Sequence, residues 1–278
     1  MRCGRCGAIY PGKHNYCRAG GHVPSSICSL KHIGDAMRLL LAVAAIFAAL
    51  PAWAQDAQIA VAANFTAAAE DLGAAFAAET GQEIGFSFGA TGQLYAQITQ
   101  GAPFDAFLSA DSATPARLVD EGFGVEGSAF TYAVGQLVLF SVDADRVSGP
   151  ESLEDDFEKI AIAEPGAAPY GAAAVETIEA LGLTEALADK LVIGQNISQT
   201  YQFVDTHNAE LGFVALSQVI GREDGSRWVV DAGLYTPITQ DAVLLDAENE
   251  AAAAFLAFLG SGAAHEIIAS YGYGFAEQ

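Results

Sequence analysis

Beyond residue 54 the chain has almost nothing with which to hold a metal. All four cysteines, Cys3, Cys6, Cys17 and Cys28, precede that point. A thiol-free segment forms no disulfide and offers nothing to an oxidising compartment. Two histidines remain there, His207 and His265, far apart in sequence, which argues against a metal centre. Basic residues are scarce: six Lys and Arg face 33 Asp and Glu after residue 54, a formal charge of −27. Such a surface does not bind nucleic acid or anionic lipid by charge. After residue 54 no apolar run approaches the ~20 residues of a membrane span. A Ser–His–Asp arrangement and a nucleophile elbow are also missing.

What is present begins at the N-terminal side. Met37–Ala54 reads MRLLLAVAAIFAALPAWA: Arg38 is a positive start, Leu39–Leu50 an apolar stretch, Ala52-Trp53-Ala54 a small-x-small cleavage signal. This predicts a secretory signal peptide over 37–54, with the exported chain starting at Gln55. Residues 1–36 are then expected to be a mis-called N-terminal extension with Met37 the true start. The competing reading of Cys3-x-x-Cys6 is half a zinc knuckle. No cysteine follows the apolar stretch, so the exported protein is expected to be free in the periplasm rather than lipid-tethered. Its 224 residues allow one large or two modest domains.

From Gln55 onward, short apolar runs alternate with helically spaced segments. Strands are expected at Ile59–Ala63, Ile84–Phe88, Phe104–Leu108, Ala133–Ser141, Ile160–Ala163, Leu191–Gly194, Leu211–Leu216 and Pro237–Leu245. Helices are expected at Phe65–Ala78, from Leu94, up to Leu118, from Pro169 to about Leu181, after Asn196, and at Ala251–Leu259 and Ala264–Tyr271. Asn64 or Thr66 is the expected N-cap of the first. The alternation predicts an α/β fold with largely parallel sheets. Two lobes of similar size are expected, the last helices packing back on the first.

Four places share one form, in which an apolar strand stops, small or hydroxylated residues follow, and a helix begins. They are Ala62-Ala63-Asn64-Phe65, Gly89-Ala90-Thr91-Gly92, Ala168-Pro169-Tyr170-Gly171 and Asn196-Ile197-Ser198. Helix starts present unpaired N–H groups and partial positive charge, and small residues let an oxyanion approach the backbone. Strand C-terminal ends line the crevice of an open α/β sheet. Four such turns together would hold an anion without lysine or arginine. None matches GxxxxGK[ST] or GxGxxG. Turns of this composition are also ordinary caps in α/β proteins, so the pattern leaves both readings open.

The segments VAANFTAAAEDL (61–72), FSFGATGQLYAQITQGAPFDAFLSAD (86–111), EGFGVEGSAFTYAVGQLVLFS (121–141), IAEPGAAPYGAA (162–173) and ELGFVALSQVI (210–220) resemble the periplasmic molybdate-binding proteins. GAPFDAFLSAD, FTYAVGQLVL and APYG are the most specific of these. The resemblance spans essentially the whole exported chain. It implies a two-lobed periplasmic-binding-protein-like fold with a two-strand hinge and the ligand between the lobes. The implied division is 55–134 for the first part of lobe 1, 135–239 for lobe 2 and 240–278 for the return to lobe 1. The implied ligand is molybdate or tungstate, with no cofactor, and the implied partner is the membrane permease of an ABC importer; the protein is expected to act as a monomer. Position by position, the implied molybdate-binding residues are Ala63 and Asn64 in the first turn, Thr91 in the second, Tyr170 after Pro169, and Ile197 through its backbone N–H. Asn64 and Thr91 stand where one branch of the family has serines, and Ala215 where that branch has a tyrosine.

Molybdate carries acceptors only, so a fitting site supplies donors only: the Asn64 amide, the Thr91 and Tyr170 hydroxyls, and backbone N–H groups. A binder of another tetrahedral oxyanion, sulfate or phosphate, is the nearer alternative. An enzyme on the same fold, such as a transferase, is the farther one, and would need basic or acid–base residues at the strand ends. Asp105 and Asp111 bracket a strand like a carboxylate pair. They are expected instead to hold a local turn and to cap the next helix, respectively, and Glu164-Pro165 reads as a turn.

Overall fold

A computed structural model describes residues 55–276. The Cys3–Cys6 pair and the 37–54 signal segment lie outside the described residues.

The first sheet takes the order β2-β1-β3-β10-β4. Its strands are β1 (Ala57–Ala62), β2 (Ile84–Gly89), β3 (Ala106–Leu108), β4 (Phe130–Gly135) and β10 (Ile238–Leu244). β2, β1 and β3 are parallel, and β10 runs antiparallel between β3 and β4. The strands read as continuous apolar runs because both faces are covered. Ile59 and Val61 face a core shared with Leu72 and Phe76 of α1 (Thr66–Thr80), Phe255 of α8 (Glu250–Phe258) and Ile268 of α9 (Gly262–Ser270). Ala60 and Phe107 face the opposite way, toward Leu94 and Ile98 of α2 (Thr91–Thr99) and Leu118 of α3 (Ala113–Asp120).

The second sheet takes the order β7-β6-β8-β5-β9. It contains β5 (Leu137–Ser141), β6 (Ile160–Ala163), β7 (Leu191–Gly194), β8 (Leu211–Ala215) and β9 (Ser226–Val229). Period-two alternation again divides its faces. Leu137, Leu139 and Phe213 pack with α4 (Pro169–Ala180), which is followed by the short α5 (Thr184–Leu187). Val138, Phe140 and Val214 pack with Val204 of α6 (Ile197–Asp205) and Val219 of α7 (Leu216–Val219). Each sheet thus supports one lobe, and α8 and α9 return to the first.

The run Ala133–Ser141, expected as one strand, is two. The ladder partner changes from Ile238, opposite Gly135, to Ala215, opposite Leu137, with Gln136 alone between the sheets. A hydrophobicity pattern has the same period on both sides of such a crossing, so it cannot report the change of sheet. The return passes through Tyr235–Pro237 into β10, and the Leu137 N–H donates to the Tyr235 hydroxyl at 3.2 Å where the two crossings meet. Gly135, Ile238 and Thr239, expected in the second lobe, are paired within the first sheet. β9 and the short helices α5 and α7 had no strong periodic signal.

Candidate functional site

Each of the four turns sits at the C-terminal end of a strand. β1 ends in a 3-10 turn, Ala63–Phe65, ahead of α1. Ala90 separates β2 from α2, and Ala168 is the N-cap of α4 with Pro169 in its first turn. Asn196 caps α6, its side chain accepting from the Gln199 N–H at 2.9 Å. Gly171 is required by close approach, since a Cβ there would overlap the Ala163 carbonyl of β6.

The five residues Ala63, Asn64, Thr91, Tyr170 and Ile197 converge on one small cavity between the lobes, completed by Ala62, Gly89, Ala90, Ala110, Ala168 and Pro169. Its volume is about 10 Å³, near the space that one water needs. None of its lining residues carries a charge. Of the N–H groups in the first turns of α2, α4 and α6, Gly92 donates to the Ala167 carbonyl, Gly171 to the Ala168 carbonyl and Gln199 to the Asn196 side chain, while those of Thr91, Tyr170 and Ile197 at the helix starts have no acceptor within their helices. Beyond Thr91 and Pro169 the lobes part into an open cleft of about 470 Å³. Its carboxylates are turned to backbone: Asp111 accepts from the Thr114 N–H at 2.7 Å, and Glu176 from the Thr236 N–H at 2.6 Å.

Acceptors around the cavity are taken up by neighbours. The Ala63 carbonyl accepts from the Ser198 hydroxyl at 3.3 Å, and the Asn64 carbonyl from the Ser217 hydroxyl at 2.8 Å and the Tyr273 hydroxyl at 2.7 Å. Thr91 Oγ1 accepts from the Ala110 N–H at 3.1 Å, which leaves its own proton to point elsewhere. The Gly92 N–H donates across the lobes to the Ala167 carbonyl at 2.9 Å. The second-lobe serines and this backbone bond hold the two halves closed over the cavity.

Asn64 differs from the sequence expectation. It caps no helix, and neither does Thr66. Its side-chain amide, expected to face the ligand, is turned into the first lobe, where Nδ2 donates to Gln240 Oε1 at 2.9 Å and Tyr273 Oη at 3.0 Å. What Asn64 offers the cavity is its place in the turn. The expected roles of the two aspartates divide. Asp111 stands one residue before the N-cap Ser112 of α3 and accepts from the first-turn Thr114 N–H, whereas Asp105 accepts from the Gln58 N–H of β1 at 2.6 Å, a long-range tie rather than a local turn.

Behind the cavity lies a cluster of buried polar side chains that the sequence reading missed. Gln240 is 0% exposed, and its Oε1 lies 3.1 Å from the Tyr132 hydroxyl, which also faces the Ser109 carbonyl at 3.0 Å. Its Nε2 donates to the Tyr170 hydroxyl at 3.4 Å, over Gly135, where a Cβ would overlap that hydroxyl. Burial pushes the Tyr132, Tyr170 and Tyr273 phenols well up from the ordinary tyrosine value. All three therefore remain neutral donors at ordinary pH. The one sequence signal for Gln240 is a polar residue on the same strand face as Ile238, in a strand that is otherwise largely apolar.

Two motif-like spellings have no matching structure. Gly85-Phe86-Ser87-Phe88-Gly89 spells G-x-S-x-G, but Ser87 lies mid-strand and accepts from Gln58 Nε2 at 3.0 Å, so it is no nucleophile elbow. Gly122–Gly127 spells G-x-G-x-x-G but leads into β4 rather than a helix. Among the described residues no group of three or more His, Cys, Asp or Glu could hold a metal ion.

A two-lobed α/β molecule with a small uncharged cavity between its lobes is the architecture of a solute-binding protein. Residues 57–274 match the family model of bacterial extracellular solute-binding proteins, and the chain belongs to that family. It is 55% identical over 228 residues to the molybdate-binding protein ModA of Rhodobacter capsulatus, covering 81% of this chain and 90% of that one. It is 50% identical over 244 residues to ModA of Azotobacter vinelandii, covering 85% and 97%. The solved Azotobacter vinelandii periplasmic molybdate-binding protein superposes with a TM-score of 0.78 at 36% identity, covering 80% of this chain and 100% of that one. Within the solute-binding class, the chain is a member of the ModA family.

Proposed function

We propose that the protein captures molybdate, and equally tungstate, outside the cytoplasm and delivers it to the membrane permease of an ABC importer. The observation that carries this reading is the single cavity at which four strand–helix turns from both lobes meet without a charged side chain. The donors are the Thr91 and Tyr170 hydroxyls and first-turn N–H groups, with Ala63, Asn64 and Ile197 contributing through the backbone. Charge-assisted hydrogen bonds contribute roughly 1.5–3 kcal/mol each, so five to seven of them offset the desolvation of a dianion and still leave nanomolar binding, about −12 kcal/mol.

The protein acts as a monomer that binds and releases its ligand unchanged. Residues 37–54 direct export, and the periplasmic form begins at Gln55. Lobe 1 comprises 55–135 and 238–276, and lobe 2 the segment between.

Selectivity follows from size and protonation. Donors fixed on packed helix starts cannot all move inward onto a smaller anion. Sulfate forgoes the equivalent of two to three hydrogen bonds, roughly 3–6 kcal/mol, and binds about a hundredfold to ten-thousandfold more weakly. Phosphate does worse still, because at neutral pH it carries a proton and a donor-only cavity has no acceptor for it. Molybdate and tungstate are nearly equal in size and hardly separated. Competition calorimetry at fixed ionic strength tests this. Sulfate displacing molybdate within tenfold of molybdate itself would replace the reading with a general oxyanion binder.

A further inference from the structure

Rejection of protonated anions requires that the Tyr170 hydroxyl donate into the cavity rather than accept from it. A hydroxyl can do either, so something must set its direction. The buried cluster behind the cavity contains a chain of hydrogen bonds whose order runs one way. It starts at the Asn64 carbonyl, which can only accept. Tyr273 Oη donates to that carbonyl at 2.7 Å. Tyr273 Oη also reaches Ser217 Oγ at 3.1 Å, and with its proton on either of these two acceptors it accepts from the Asn64 side chain, whose Nδ2 faces it at 3.0 Å. The same Nδ2 reaches Gln240 at 2.9 Å, and the Gln240 atom facing a donor must be Oε1. The Tyr132 hydroxyl lies between two acceptors, 3.0 Å from the Ser109 carbonyl and 3.1 Å from Oε1, and its one proton serves either of them. The other end of the Gln240 amide, Nε2, therefore faces Tyr170 Oη at 3.4 Å. An amide N–H cannot accept, so the phenolic proton of Tyr170 points away from Gln240.

We propose that Gln240 is a specificity-determining residue of the anion site: it orients the Tyr170 proton into the cavity and thereby keeps the cavity free of acceptors. This rests on the reading of the cavity as an oxyanion site. The Tyr273 hydroxyl is the remaining neutral neighbour of Tyr170, and a dianion is the stronger acceptor of the two. Thr91 is arranged in the same manner, its oxygen accepting from the Ala110 N–H behind it. One hydroxyl from each lobe is thus polarised from its own rear, by backbone in one case and by a glutamine in the other. Two local features place Gln240 for this task. The β10–β4 ladder shifts register between Gln240 and Asp241, a break of the kind that re-aims a side chain. Gly135 on β4, opposite Ile238, leaves room for the phenol and the amide to meet. A fully buried glutamine in an otherwise apolar strand face is costly unless every polar atom is partnered, and here each end is.

The test is a double-mutant cycle on the periplasmic chain, read by calorimetric Kd for molybdate and for inorganic phosphate. Gln240→Met keeps volume and neutrality but releases the phenol. It is expected to weaken molybdate about tenfold and to shrink the molybdate-over-phosphate preference by a similar factor. In the Tyr170→Phe background the same change is expected to alter molybdate affinity by less than about twofold. Equal losses in both backgrounds, or an unchanged anion preference, would overturn the proposal. Should Gln240→Met fail to fold, Gln240→Glu carries the same cycle. Its carboxylate accepts from Asn64 and Tyr132 and draws the Tyr170 proton inward, while an effect of its charge alone persists without the Tyr170 hydroxyl. Failure of the unaltered, folded protein to bind molybdate would instead refute the oxyanion reading, independently of Gln240.

Discussion

Removing one oxygen atom, in Tyr170→Phe, separates the ligand-binding role of the phenol from its structural role. The ring stays among Ile162, Ala173 and Ala174, so packing of the second lobe is retained. Two interactions are lost. The first is the bond from Gln240 Nε2, which at 3.4 Å is long and near the weak end of the range. Its loss leaves a buried amide donor short of an acceptor and costs about 1 kcal/mol of stability. In a chain of this size that is a fall of roughly 2–4 °C in melting temperature. The second is the hydrogen bond to the anion. It is charge-assisted, made in a cavity with no charged group to replace it, and contributes roughly 1.5–3 kcal/mol. Kd for molybdate should therefore rise about tenfold to a hundred-and-fiftyfold. Thermal unfolding without anion gives the first quantity and isothermal titration the second. An unchanged Kd with a lowered melting temperature would mean that the hydroxyl serves only the buried cluster, and would remove Tyr170 from the site.

Gly171→Ala forces a methyl onto the Ala163 carbonyl, a contact with backbone that no rotamer change relieves. It should destabilise the second lobe by about 1–3 kcal/mol, visible in denaturant unfolding, and a neutral outcome would contradict the close α4–β6 approach. The buried phenols of Tyr132, Tyr170 and Tyr273 titrate above the ordinary tyrosine value of about 10 because burial disfavours their charged forms. A group with a raised folded-state pKa contributes stability that is full below its unfolded value and is lost as pH rises through the folded one. Melting temperature should accordingly fall as pH is raised beyond about 10, and less steeply in Tyr132→Phe, as pH-series calorimetry can decide. Export should leave a periplasmic chain that begins at Gln55, and intact-mass spectrometry finding residues 1–36 retained would overturn that reading and revive the zinc alternative for Cys3 and Cys6.

Much of the architecture is legible from sequence because it rests on local pattern. Ile160–Ala163 and Leu191–Gly194 coincide with β6 and β7, and the helix from Pro169 ends one residue from its expected limit. Strands buried on both faces make unbroken apolar runs, and helix starts need small or capping residues, so composition marks both ends of each turn. Composition thus marks the four turns, while the choice of Ala63, Asn64, Thr91, Tyr170 and Ile197 within them rests on the resemblance to the periplasmic molybdate-binding proteins. Three features depended on tertiary structure. The sheet change at Gln136 is invisible to periodicity, since the pattern is the same on either side. The direction of the Asn64 amide depends on Gln240 and Tyr273, 176 and 209 residues away, and no local rule reaches that far. Gln240 itself looks like one polar residue in a strand. It becomes part of a site only when β10 returns from the second lobe beside β4 and sets its amide against a tyrosine from the opposite lobe. Hydrogen-bond direction is a property of the assembled network, where carbonyls that can only accept constrain the orientation of the groups linked behind them.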